Sequence, residues 1–295
     1  MKFVGVFTTS NGRPIDKHAS IKHQNIPVPY HTWRHRACLL KRDYQNLQQN
    51  LDDILNLKIA SFPGLSLRNI TSKTCYAGPY ANLTVAAYLS TICVEQEFSG
   101  TLAGIMLCND SDHIGENKCA EIKIRSYFEK LQAVFENVTG FDNVKLIILS
   151  TALYRQSDFY GPVDYLERKK QFNKLLVEKS YREDAKLTVG GRNIPYAVVD
   201  MRKYLPENQI HKDKFYCLSE GNQRKIHIRG EYIERYLEDV KNIHQKFCDL
   251  EQQKILEQEL ERQKCSKQEH QKYCYKGRRK TSRNPFFMFC KIDIS

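Results

Sequence analysis

Short, almost wholly apolar runs separated by stretches of helical periodicity narrow the folds open to this chain more than any other feature. KFVGVF opens the sequence and LKIASF follows at 57–62. TLAGIML (101–107), VKLIILS (144–150) and IPYAVVD (194–200) come later. Each is four to eight residues long and closes on turn chemistry, as in TTSNGRP after the first and Pro63-Gly64 after the second. Runs of that length, apolar on both faces, read as strands of a covered parallel sheet. Between them, apolar residues recur at steps of three and four. Leu40, Tyr44, Leu47, Leu51 and Leu55 mark one helix, and Ile124, Phe128, Leu131 and Phe135 another. Residues 81–94 and 165–180 read as further helices, and one from about Gly230 carries Ile233, Leu237, Val240 and Phe247. Strands alternating with helices predict a three-layer α/β/α domain with a mainly parallel sheet of about five strands.

The pattern changes after Asp249. EQQKILEQELERQKCSKQEHQKY is charged nearly all round, as expected of a solvated helix, and YKGRRKTSRNPFF is basic. Residues 1–248 are therefore read as the α/β domain and 249–295 as a charged helix with a basic tail. The tail from Lys264 holds nine Lys and Arg against two Asp and Glu, so it supplies most of the net charge of +12. Such an excess points to acidic partners, nucleic acid or an anionic surface first. Lys276, Arg278, Arg279, Lys280 and Arg283, interleaved with Tyr273, Tyr275, Phe286 and Phe287, would neutralise phosphates and stack on bases. The same residues also fit a nuclear-targeting cluster. No run has the length of a transmembrane span, and Lys2 to Phe7 is too short for a signal-peptide core. Ten cysteines without a C-x-x-C pair then suggest reduced thiols and an intracellular, cytoplasmic or nuclear, location.

Ligands of parallel sheets bind beyond the carboxyl ends of the strands, so the residues that follow each run matter most. Ser10 follows the first, Gly64 the second, Asn109 the third, and His227 precedes the last helix of the domain. In that order, in TTSNGRP, SFPGLSLRNI, IMLCNDSD and KIHIRGEYIERYL, they resemble the four blocks of the SGNH (GDSL-type) hydrolase family across about residues 1–245. The resemblance implies a serine esterase or acyl hydrolase acting on a small ester or acylated substrate. Ser10 would be the nucleophile and His227 its general base. The N–H groups of Ser10 and Gly64 and the Asn109 amide would form the oxyanion hole.

The departures from the family's pattern are as specific as the matches. Thr8-Thr9-Ser10 stands where the family has Gly-Asp-Ser, Cys108 replaces a glycine, and Arg224 stands where the family has an aspartate three before the histidine. A cation there depresses the histidine's proton affinity. The acid would come from elsewhere, such as Glu220, or the pair would work as a Ser–His dyad. The alternative is a catalytically degenerate SGNH-like domain that binds nucleic acid or protein.

Other signals point to no metal or cofactor. Cys265, His270, Cys274 and Cys290 lack the paired spacing of a zinc site, and His31 and His35 lack a third ligand. There is no G-x-x-x-x-G-K-[ST] and no G-x-G-x-x-G.

Overall fold

The computed structural model describes residues 2–9, 56–66, 68–105, 119–154, 163–180, 185–210, 212 and 230–281, the last with side chains from 235 to 267. Six strands form one sheet: β1 (Phe3–Thr8), β2 (Asn56–Ser61), β3 (Phe98–Ile105), β4 (Leu146–Ser150), β5 (Lys186–Val189) and β6 (Arg192–Val199). Among the described residues, four helices accompany them: α1 (Val85–Cys93), α2 (Ala120–Phe135), α3 (Val163–Ser180) and α4 (Gly230–Thr281). The helix expected between Leu39 and Leu55 lies outside the described residues.

The strand order is β2-β1-β3-β4-β6-β5. The pairings β1–β2, β1–β3, β3–β4 and β4–β6 are parallel, and β5 joins β6 antiparallel. The chain is thus an α/β protein with a mainly parallel sheet. About five strands were expected from the apolar runs, and the sixth comes from a hairpin. KLTV carries only alternating burial, and a two-residue loop of Gly190 and Gly191, both at positive φ, joins it to β6. Glycine supplies the backbone that such a tight antiparallel turn needs. Pro195 lies in β6, one residue before the stretch that pairs with β4, so it takes no N–H from that ladder.

Strand alternation sorts the core. Phe3, Phe7, Leu102, Ile147 and Leu149 pack with Leu89 and Ile92 of α1, Ile124 and Leu131 of α2, and Phe172 and Leu176 of α3. Gly5 lets α1 approach β1, because a methyl group there would stand 2.7 Å from Ile92 Cγ2. The Tyr88 hydroxyl, also on α1, accepts from Val6 N at 3.2 Å and donates to the Lys58 carbonyl at 2.6 Å, bridging β1 and β2. Thr101, one residue from Leu102 and hence on the opposite face, lies 2.9 Å from His244 Nδ1 of α4. Tyr236, Leu237 and Val240, earlier on α4, are fully buried.

The chain divides into two compact units, Met1–His244 and Gln245–Ser295. Within the second, the side chains of α4 from residue 252 to residue 267 are all exposed.

Candidate functional site at the carboxyl edge of the sheet

Strand order reverses at β1, which has β2 on one side and β3 on the other. Such a reversal opens a crevice outside the strands' carboxyl ends, and ligands of open parallel sheets bind there. The described part of this edge is rich in buried hydroxyls: Thr8 and Thr9 at the end of β1, Ser61 at the end of β2, and Ser150 and Thr151 at the end of β4.

Beyond β2 the chain turns at Phe62-Pro63-Gly64-Leu65. Leu65 N donates to the Phe62 carbonyl at 3.0 Å and Gly64 has φ 72°. Proline followed by a glycine of positive φ is the chemistry of a type II turn. Phe62 N donates to the Thr8 carbonyl at 2.8 Å, which ties this turn to the end of β1. Asn69 holds it from the far side. Its Oδ1 accepts from Ser66 N at 2.8 Å and its Nδ2 donates to the Gly64 carbonyl at 3.0 Å. Gly64 itself is exposed.

Beyond β4, Asn173 of α3 grips the backbone of Ala152 through both its N–H and its carbonyl. Thr151 Oγ1 accepts from Met201 N at 2.9 Å, and Thr151 N donates to the Val199 carbonyl at 3.1 Å. Lys169, fully buried on α3, has its ammonium 6.0 Å from the Tyr154 ring centroid. No sequence signal marked Asn173 or Lys169, since both lie in a helix whose polar residues read as its solvated face.

Two described carboxylates that follow β6 in the chain, Asp200 and Asp239, are already engaged. Asp200 accepts from Arg202 N, and its two oxygens receive Arg202 Nε and Nη2 at 2.8 Å each. Asp239 accepts the Tyr204 hydroxyl at 2.7 Å. Burial, reinforced by that hydrogen bond, raises the Tyr204 phenol above its ordinary range, and burial does the same for Tyr236.

Of the residues singled out from the sequence, Gly64 lies on the turn described above. Ser10, Asn109, His227, Glu220, Arg224 and Arg283 lie outside the described residues, as do His31 and His35. Lys276, Arg278, Arg279 and Lys280 fall within the backbone of α4, with side chains outside the described set. Among the described residues, no group of three metal-ligating side chains converges. No described helix is long and apolar enough to cross a membrane.

The described fold defines the class, an α/β protein with a mainly parallel sheet. Beyond that class, no protein-family model matches the chain, and no curated protein matches it at a significant level. Among solved structures it is similar to the salicylyl-acyltransferase SsfX3 from a tetracycline biosynthetic pathway, at 14% identity and a TM-score of 0.40. That match covers 81% of this chain and 53% of the other, so the chain spans about half the length of its structural neighbour.

Proposed function

We propose that the chain is a serine ester or acyl hydrolase of the SGNH kind, with its site outside the carboxyl ends of β1, β2 and β3. One observation carries this reading. β1 lies between β2 and β3, all three parallel, and each of the three segments that bear Ser10, Gly64 and Asn109 follows one of these adjacent strands in the sequence. The Gly64 turn adds support, since it is hydrogen-bonded to the end of β1 and its positive φ turns the backbone sharply beside the segment that leads to Ser10.

In this proposal Ser10 attacks the acyl carbon and His227 takes its proton, later returning it to the departing alcohol. Water then releases the acid and frees the serine. The oxyanion is held by the N–H groups of Ser10 and Gly64 and by the Asn109 amide, each donor worth about 3 kcal/mol of barrier. Arg224 leaves the histidine without the family's carboxylate, so a dyad of modest rate is expected.

Purified protein should cleave a short-chain p-nitrophenyl ester, and an alkyl fluorophosphonate should label Ser10 in peptide mass spectra. Ser10→Ala and His227→Ala should each abolish turnover while leaving the circular-dichroism spectrum unchanged. Equal turnover by the wild type and Ser10→Ala would overturn the hydrolase and leave the degenerate binding domain.

A further inference from the structure

The second compact unit contains 37 residues of α4, from 245 to 281, as one unbroken helix. In proteins most helical stability comes from packing one face against a partner. Yet from 252 to 267 every side chain here is exposed. Leu256 and Leu260 stand one turn apart on one face, exposed by 58% and 52%. Gln253 and Gln263 share that face by helical spacing.

Charge along the helix is divided. From 245 to 261 there are five acidic residues and two basic ones, whereas from 262 to 281 there are eight basic residues and one acidic. Two such helices in parallel would set like charge against like along their whole length. Turned end for end, the acidic half of each lies beside the basic half of the other. Opposite charges in facing positions select partner and orientation.

We propose that this segment pairs antiparallel with the same segment of a second copy of the chain. The leucine face lies at the seam, and the two helices cross near residue 262. That register brings the middle of each acidic half level with the middle of the basic half opposite. It also places Gln263 of one copy beside Gln263 of the other. Two copies of Gln253 would instead stand about 28 Å apart along the pair, at 1.5 Å of rise per residue.

The test uses the full chain, treated with nuclease. Sedimentation at low salt should give twice the 34.5 kDa of a single chain. Raising the salt to about 0.5 M should return the single mass, because the Debye length shrinks to a few ångströms. The triple change Glu257→Lys, Glu259→Lys, Glu261→Lys alters only exposed positions and should abolish the doubling. A bismaleimide should link two chains through the new thiol of Gln263→Cys but not through that of Gln253→Cys, as read from the masses of the linked peptides. A single mass at every concentration overturns the proposal. So does a doubling that vanishes with nuclease, which would mean that nucleic acid bridges the copies. Linkage through Gln253→Cys would mean a parallel pair and overturns it equally.

Discussion

Asn173 completes the backbone hydrogen bonding of Ala152 from inside a helix. Its Oδ1 accepts the Ala152 N–H at 2.7 Å and its Nδ2 donates to the Ala152 carbonyl at 2.9 Å. One buried side chain thereby replaces the strand partner that Ala152 lacks once β4 has ended at Ser150. Asn173→Ala leaves two buried backbone groups unpaired and should cost about 2–6 kcal/mol, at 1–3 kcal/mol for each orphaned group. Asn173→Asp keeps the acceptor but loses the donor to the Ala152 carbonyl, and should also destabilise. Urea unfolding midpoints of the three proteins measure the order, and an unchanged midpoint for Asn173→Ala would contradict it.

Gly5 is needed for the packing of α1. Its missing side chain accommodates Ile92 Cγ2, with Leu102 Cδ2 at 3.1 Å from the same point. Gly5→Ala should overpack this contact and destabilise by about 1–3 kcal/mol. The paired change Gly5→Ala with Ile92→Leu, which removes the β-branch methyl Cγ2 that makes the clash, should recover part of that loss. Thermal unfolding of the single and double variants tests the coupling.

Gly64 presents a different case, with open space and a restricted backbone. An added methyl would stand 3.6 Å from Lys73 Nζ, an ordinary contact, but φ is 72°. Gly64→Ala should cost about 1–2 kcal/mol from left-handed backbone strain alone. Were the proposed oxyanion donor at Gly64 active, ester turnover should fall further than this stability loss explains. Turnover measured well below the melting temperature separates the two effects.

Burial lowers the proton affinity of His244, which faces Thr101. The unfolded chain therefore takes up a proton before the folded one as pH falls. The neutral histidine's contribution is complete above pH 6.5, its ordinary value, and is lost as pH falls through the lower folded value. His244→Gln, which has no proton to gain, should show a flatter decline in melting temperature between pH 7 and pH 5. Parallel curves for the two proteins would remove His244 as the cause.

Burial pushes the Cys93 thiol up to about 12, from an ordinary value of 9.0. With the unfolded thiol ionising first, stability is complete below about pH 9 and declines as pH rises from there to about 12. A maleimide at pH 8 should modify exposed Cys119 and Cys265 within minutes and leave Cys93 intact until the protein unfolds. Peptide masses after brief labelling decide it.

The amino-acid sequence determined the α/β class and the approximate place of five strands. Those signals are local, since a run such as LIILS must be buried on both faces wherever it goes, and α2's apolar residues align on one face in any context. Its signal for β5 is weaker, because KLTV is only four residues long and buries only alternate ones. The order β2-β1-β3-β4-β6-β5 was a tertiary decision, as no local pattern says which strand lies beside which. So was the grip of Asn173 on Ala152, where a polar residue in a helix reads as surface until the sheet arrives beside it. The blocks around Ser10, Asn109 and His227 rest on sequence alone, and Gly64 shows what folding adds to such a block. Pro-Gly announces a turn by its own chemistry, but only the parallel pairing of β1 with β2 puts that turn against Thr8. Local chemistry chooses a residue's conformation, and long-range packing chooses its neighbours.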